Sequence, residues 1–451
     1  MKRMLLPVLL LAMITASLAQ QLPKPTKQQL EWQKLETTAF IHFTVNTFTG
    51  KEWGDGTESP SIFNPVDFDA RKMVRTLKET GFKMAIITAK HHDGFCLWPS
   101  AYTEHSVKNS PWKNGKGDVV KEIEAACREY GIKFGFYLSP WDQNNASYGT
   151  AQYNTFYKNQ LKELLTNYGD VAEVWFDGAK GENAKNMEYD FKGYWQLVRE
   201  MQPNAVMFSD VGPDVRWVGN EKGNAGETSW STISISPENA PGKISSAYLN
   251  TGDPDGKSWI PAETDVSIRP GWFYHPEEDS KVRSGKNLVN LYYNSVGRNR
   301  LLLLNIPPNQ KGLFADKDVS SLYEFRAILD ETFKKNLAEG KIIKSLTDKE
   351  LTTFVQLDVH QPYVIDFKKN LSFDRVSLQE NIAEGQRNAA ALLEYWDGND
   401  WKLISEFTTI GYKRLFRVPL ITTTKIRMTV LAAKHPVQLA EVGFYKASAK
   451  E

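Results

Sequence analysis

Short apolar runs alternate with amphipathic stretches along residues 30–335. The runs 39–45 (AFIHFTV), 83–88 (KMAIIT), 133–139 (KFGFYLS), 171–176 (VAEVWF) and 205–209 (AVMFS) have the length and composition of buried strands. The stretches between them have helical spacing. In 69–80 (DARKMVRTLKET), Met73, Val74 and Leu77 share one side, and Gly81 follows as a stop. In 118–130, Asp118 stands at the capping position and Gly131 closes the helix. Residues 152–168 read as a helix closed by Gly169, and 190–201 as a helix followed by Pro203. Further strands are expected at 288–293 (LVNLYY) and 301–306 (LLLLNI), with a closing helix at 318–335. This repetition predicts parallel βα units. Seven strands are visible, and an eighth is expected within 210–287, where long loops obscure the pattern. The predicted fold is α/β, a (β/α)8-like TIM barrel. A doubly wound open sheet fits less well, because no glycine-rich dinucleotide loop follows the first strand.

After about residue 340 the periodicity shortens. Segments such as 363–367 (YVIDF), 391–396 (ALLEYW), 425–431 (KIRMTVL) and 438–445 (QLAEVGFY) are strand-like and separated by turns such as Asp397-Gly398. They predict an all-β sandwich (jelly-roll). At the other end, Lys2 and Arg3 precede an apolar run, and Ser17 and Ala19 supply small residues before a cleavage site. The expected organisation is a signal peptide at 1–19, a catalytic barrel at 20–338 and a β-sandwich at 339–451. Cleavage near Ala19 would deliver a periplasmic or secreted protein. No other segment is long and apolar enough to cross a membrane.

Composition narrows the function. Lys plus Arg number 55 against 54 Asp plus Glu, so no global field attracts nucleic acid or anionic lipid. The 13 Trp and 18 Tyr suit stacking surfaces as well as a large core. Cys96 and Cys127 are the only cysteines, which excludes a disulfide scaffold and leaves one bridge open.

In a barrel, chemistry gathers at the C-terminal ends of the strands. His42 lies in the first strand, Lys90-His91-His92-Asp93 follows the second, Tyr137, Trp141 and Asp142 end the third, Trp175 and Asp177 end the fourth, and Asp210 ends the fifth. Polar groups at the ends of apolar strands are costly unless paired or used, and their recurrence points to a site. His42, His91 and His92 offer three nitrogens of the kind zinc takes. Adjacent histidines on a strand end diverge, and no HExxH motif is present, so the reading is no metal and no cofactor. Uncharged histidines suit sugar hydroxyls, and Trp53, Trp175 and Trp272 suit an apolar sugar face. Glycoside cleavage needs two carboxyl groups. Asp177, with Gly178 leaving room beside it, is the nucleophile candidate. Glu221, Glu227 and Glu263 are the candidates for the proton donor. Arg269, in IRPGW, would hold a hydroxyl or pair with Asp177.

The stretches FIHFTVNTFTGKEWG (40–54), AKHHDGFCLW (89–98), FGFYLSPWD (134–142), EVWFDGA (173–179), DVSIRPGWFY (265–274) and LLLLNIPPNQKG (301–312) resemble the glycoside hydrolase family 29 α-L-fucosidases. The resemblance covers nearly all of 30–335. It implies an exo-acting hydrolase that releases terminal L-fucose from fucosylated glycans with retention, Asp177 being the nucleophile. It also implies fucose-binding roles for His42, His91 and His92, wall roles for Tyr137 and Trp175, and sugar contacts near Glu52, Trp53 and Arg269. Within the family, WVGNEKG resembles the branch that prefers α-1,3 and α-1,4 linkages, which points to Glu221 as acid/base, with Glu227 and Glu263 in reserve. The segment FDRVSLQENIAEGQR, with YWDGNDWK, resembles galactose-binding-like (discoidin, or coagulation factor 5/8 type C) domains. The rival readings are another exo-glycosidase on the same scaffold and a non-catalytic carbohydrate-binding protein.

Overall fold

The computed structural model describes residues 21–235 and 244–451, so the leader expected at 1–19 lies outside the described residues. Eight parallel strands close a barrel. They are β1 (Thr37–Ile41), β2 (Met84–Lys90), β3 (Lys133–Leu138), β4 (Glu173–Trp175), β5 (Val206–Ser209), β6 (Val215–Trp217), β7 (Ala262–Ser267) and β8 (Leu301–Asn305). β8 closes the ring on β1, with Thr37 opposite Leu302 and Phe40 opposite Asn305. Every residue of β1, β2, β7 and β8 is buried, as expected for parallel strands covered on both faces. Phe40, Met84, Ile86, Tyr137, Trp175, Phe208, Leu301 and Leu303 form an inner cluster, plugged from below by Trp32 of α1 (Lys27–Gln33).

Two of the flanking helices start on aspartate caps, of which the sequence marks Asp118. The Asp69 side chain accepts from Lys72 N at α2 (Ala70–Glu79), and the Asp118 side chain from Lys121 N at α3 (Val119–Tyr130). Gly131 closes α3 in the left-handed region. α4 (Ala151–Asn167) and α5 (Phe191–Met201) follow in the expected places.

The sequence reading errs at 288–293. That segment belongs to α6 (Gly285–Asn294), capped by the Ser284 side chain on Asn287 N. A short, nearly all-apolar run carries no periodicity of its own, and here helix packing against α7 (Asp316–Phe333) decides it. The region 210–287 supplies two barrel strands instead of one. β5 and β6 are joined by residues 210–214 alone, so no helix marks the change. They still pair in parallel, with Phe208 opposite Val215.

Beyond α7, six antiparallel strands form the sandwich: β9 (Val355–Leu357), β10 (Tyr363–Glu380), β11 (Asn388–Trp396), β12 (Trp401–Phe407), β13 (Arg414–Ala433) and β14 (Val437–Tyr445). Register shifts between Asp366 and Leu371 and between Phe373 and Arg375 break the long pairing of β10 with β13. Leu337 and Ala338 already pack with the second core. The sandwich is moored to the N-terminal end of β1. Glu36 there accepts from Tyr292 Oη (2.6 Å) and Tyr412 Oη (3.0 Å) and pairs with Lys413. Among the described residues no helix is long and apolar enough to cross a membrane.

Candidate active site

Most of the residues singled out in the sequence converge at the C-terminal mouth of the barrel. Glu173, Trp175 and Asp177 alternate along β4 and its extension, so all three share one face. Asp177 Oδ2 accepts from Tyr137 Oη at 2.9 Å, and Asp177 Oδ1 from the Ala179 amide at 2.7 Å. The Asp177 side chain keeps 19% of its surface exposed, whereas Tyr137 behind it keeps 1%. A carboxylate oriented from behind and open in front is placed to meet a ligand. Gly178 also leaves room for Asp210: a Cβ there would come within 2.3 Å of Asp210 Oδ2, and that side chain would have to move.

The three histidines line up beside it, with ring centroids 5.5 Å apart for His42 and His91 and 4.1 Å for His91 and His92. His42 Nδ1 lies 2.9 Å from Asn305 Oδ1. Asn305 is itself fixed, since its Nδ2 donates to Ser267 Oγ and to the Trp272 carbonyl. The amide oxygen therefore accepts from Nδ1–H, which places the ring hydrogen on Nδ1 and leaves His42 Nε2 as an acceptor. His92 Nδ1 lies 2.8 Å from Ser139 Oγ, whose own hydrogen goes to the Trp141 carbonyl. By the same logic His92 Nε2 is bare, 3.6 Å from Asp177 Oδ2. His91 Nδ1 has no partner. Burial pushes His42 down to about 3, His92 to about 4 and His91 well below its ordinary value, so all three are neutral at physiological pH.

Trp272 stands across from this row, its ring 5.1 Å from His42. Its side chain also hydrogen-bonds Glu221. Glu221 follows β6 on an exposed loop, yet its carboxyl lies against protein groups. Burial, and then the negative charge of Asp177, raise its pKa above the ordinary value, with Glu52 adding to the effect and the Trp272 bond opposing it. One carboxyl of the pair is thus biased toward its acid form by the other. Glu52 ties two loops together. It accepts from Trp272 N (2.7 Å), Phe273 N (3.3 Å) and His275 Nε2 (2.7 Å). A Cβ on Gly271 would lie 2.5 Å from Glu52 Oε1, so glycine lets the loop lie against the carboxylate without displacing it. Trp53, 45% exposed, stands edge-on to His92 and Trp141 on the rim.

Three sequence-derived candidates lie elsewhere. The Arg269 side chain is fully buried and turned to the outer side of the loop. Its Nε donates to Asp318 (2.9 Å), Nη2 to Asp279 (2.7 Å) and Nη1 to the His275 carbonyl. It holds the loop that carries Trp272 and pairs with no group of the mouth. Glu227 pairs with Arg298 and Arg414, which engages it at the sandwich boundary. Glu263 is buried inside the barrel and accepts from Trp175 Nε1 at 2.9 Å. Of the three glutamates only Glu221 neighbours Asp177.

Sequence reasoning missed Asn305, Ser139, Trp217 and Asp265. Asn305 and Ser139 are polar residues at strand ends, the same signal that exposed the others. Trp217 Nε1 donates to Asp265 Oδ1 at 2.8 Å, a contact between two strands that were not resolved in the sequence. Among the described residues no group of three His, Cys, Asp or Glu side chains converges as a metal site, and Cys96 and Cys127 are buried free thiols. A cavity of about 740 Å³ lies at the opposite end of the barrel, lined by Trp32, Leu35, Met84, Phe134 and Val206. None of the clustered polar residues reaches it.

Comparison with known proteins identifies the family. The sequence profile of the family described as alpha-L-fucosidase matches residues 18–331. Alpha-L-fucosidase 1 of Arabidopsis thaliana is 43% identical over 446 residues, covering 94% of this chain and 88% of its own length. A glycoside hydrolase family 29 member from a rumen bacterium superimposes with a TM-score of 0.87 at 43% identity, over 95% of this chain and 78% of that one. A family 29 fucosidase of Ruminococcus gnavus, solved in complex with fucose, gives a TM-score of 0.87 at 36% identity, over 95% and 96% of the two chains. With a barrel whose mouth gathers a solvent-facing carboxylate, a second carboxyl biased toward its acid form and a row of neutral histidines, the chain belongs to the glycoside hydrolase family 29 α-L-fucosidases.

Proposed function

We propose that this exo-acting α-L-fucosidase works by double displacement with net retention. Asp177 attacks the anomeric carbon while Glu221 donates its proton to the departing glycosidic oxygen. The bond to the aglycone breaks as the Asp177 ester forms. Glu221, now ionised, takes a proton from water, which attacks the same carbon, releases fucose and restores Asp177. His42 Nε2 and His92 Nε2, as bare acceptors, accept hydrogen bonds from hydroxyls of the sugar, with His91 and Glu52 beside them. Tyr137, Trp175, Trp53 and Trp272 enclose it. The observation that carries the reading is the opposition of a half-buried, Tyr137-oriented Asp177 to a Glu221 whose acid form that same Asp177 favours.

The substrates on this reading are fucosylated oligosaccharides or glycoconjugates with α-1,3 or α-1,4 linkages, supported by the WVGNEKG stretch that carries Glu221. The leader supports a periplasmic or secreted protein. The C-terminal sandwich is assigned to the galactose-binding-like class on its sequence texture and its antiparallel order.

The test is hydrolysis of a panel of branched Lewis-type and 2-fucosylated oligosaccharides by wild type, D177A and E221A. Expected is release of α-configured fucose from the Lewis-type compounds and near-complete loss in D177A. In E221A, loss should be recovered by azide on an activated aryl fucoside. Full activity of D177A would overturn the nucleophile, and an unchanged E221A would overturn the acid/base.

A further inference from the structure

The chain that carries Glu221 is bonded on one side to the barrel and on the other to the C-terminal sandwich. Beyond β6 it makes a loop, 219–225, whose neck is closed by one side chain. Asn250 Oδ1 accepts from the Gly226 amide at 2.7 Å, and Asn250 Nδ2 donates to the Val218 carbonyl (3.2 Å) and the Asn224 carbonyl (3.3 Å). Asn250 sits on the short helix Ser246–Thr251, and its own carbonyl accepts from the buried Arg300 Nη2 at 2.8 Å. Within the loop the Asn220 side chain accepts from the Lys222 amide and donates to the Asn224 carbonyl, both at 3.0 Å, so Glu221 lies inside a braced turn.

Residues 227–231 continue as a ribbon whose odd-numbered members turn their main chain to the sandwich. The Glu227 carbonyl accepts from Thr408 Oγ1 (3.1 Å) and Arg414 Nη1 (2.8 Å). The Ser229 amide donates to Thr409 Oγ1 at 2.9 Å. One amide side chain, Gln386, spans the next two positions, donating to the Ser229 carbonyl (3.0 Å) and accepting from the Ser231 amide (2.9 Å). Trp230, between them, turns the other way. Its amide donates to the Thr251 carbonyl at 2.8 Å, and its carbonyl accepts from Arg216 Nη2 at 2.8 Å. Ser229, Ser231, Gln386 and Thr409 are all buried. The two sandwich loops that supply these partners are gathered by Glu380, whose carboxylate accepts from the Asn388 amide (2.9 Å) and the Gly411 amide (2.7 Å).

Buried main-chain groups must find partners, and at Glu227, Ser229 and Ser231 sandwich side chains supply them. A general acid must stay within hydrogen-bond reach of the glycosidic oxygen, and a loop achieves that only when its ends are fixed. We propose that the C-terminal sandwich is a positioning element for the acid/base: Gln386, Thr409 and Arg414 hold the trailing limb of the Glu221 loop while Asn250 holds its neck. The inference rests on the acid/base role proposed for Glu221 above. It assigns the sandwich a part in the reaction that does not require it to bind sugar.

The test compares wild type, T409V and Q386L on phenyl and dinitrophenyl α-L-fucosides, together with hydrogen exchange of the peptide spanning 218–231. The phenyl leaving group needs a proton from the enzyme and the dinitrophenyl group does not, and kcat/KM reports the step in which that bond breaks. Each variant should lose about tenfold in kcat/KM on the phenyl fucoside and stay within about twofold of wild type on the dinitrophenyl one. The 218–231 peptide should exchange faster in both variants, with the barrel strands unchanged. An equal loss on both substrates, or wild-type rates on both, overturns the positioning role. T409V removes one acceptor and keeps the side-chain shape, so it decides the matter if Q386L fails to fold. E221A with the leaving-group dependence of wild type would overturn the acid/base role of Glu221. The hold of the sandwich on the loop is then decided by exchange alone: faster exchange in T409V supports it, and wild-type exchange overturns it.

Discussion

The hydroxyl of Tyr137 donates to Asp177 Oδ2 at 2.9 Å, from a ring held between Trp175 and His91. The bond orients the carboxylate that faces the mouth of the barrel. Y137F removes the donor and keeps the ring. The expected outcome is a fall in kcat of roughly tenfold to a hundredfold with a smaller change in KM, since a hydrogen bond to a charged group is worth about 1.5–3 kcal/mol. Steady-state kinetics on an aryl α-L-fucoside checks it, and an unchanged kcat would remove Tyr137 from the machinery.

Glu221 must be protonated in the free enzyme, and burial followed by the Asp177 charge raises its pKa. Activity is therefore retained to a higher pH than an ordinary glutamate would allow and declines as pH rises through the raised value. Glu52 also pushes Glu221 upward. Removing that charge in E52Q should move the basic limb of kcat/KM to lower pH, beyond any loss of sugar binding. A basic limb that stays in place, or moves upward, would detach it from Glu221.

Arg269 separates a loop-holding role from a sugar-holding one. All three of its donor positions are engaged within the protein, two of them on Asp318 and Asp279. R269M leaves Asp318 buried without its partner, a change that costs about 3–5 kcal/mol in comparable cases. Asp318, already raised to about 6 by burial against the pull of Arg269, should rise further. The expected result is a clear drop in melting temperature together with loss of activity as the Trp272 loop loosens. A raised KM with unchanged melting temperature would instead indicate a hand on the substrate.

Most of the barrel was legible because its strands and helices obey local rules. Asp118 caps the helix it precedes, and the 39–45 and 83–88 runs are apolar because both faces of each strand are covered. The polar strand ends, from His42 to Asp177, were legible for the complementary reason, as exceptions to that apolar pattern. What failed was non-local. LVNLYY carries no period that distinguishes strand from helix, and only packing against α7 resolves it. β5 and β6 are separated by a link too short to carry a helix, so the alternation that signals a barrel vanishes there. Arg269 sits beside the right motif, yet its direction depends on Asp318, which is distant in sequence. Glu263 looked available as a proton donor only because its partner, Trp175, lies on another strand.

The mooring of the sandwich to the barrel makes stability sensitive to acid. Glu36 is held to about 2, because although burial alone pushes it up, Lys413 and the Tyr292 hydroxyl outweigh that effect. Its folded pKa lies below the ordinary 4.5, so its contribution is complete above that value and is lost as pH falls from about 4.5 toward 2. The shift corresponds to about 3 kcal/mol. In E36Q the Lys413 ammonium loses its countercharge while Tyr292 and Tyr412 keep an acceptor on one side only. The expected outcome is a melting temperature lowered by roughly 5 °C at neutral pH, with the gap to wild type closing as both are titrated into acid. Calorimetry across that range checks it. A constant gap at all pH values would mean that Glu36 acts through packing alone, and a gap that widens in acid would reverse the assigned sign.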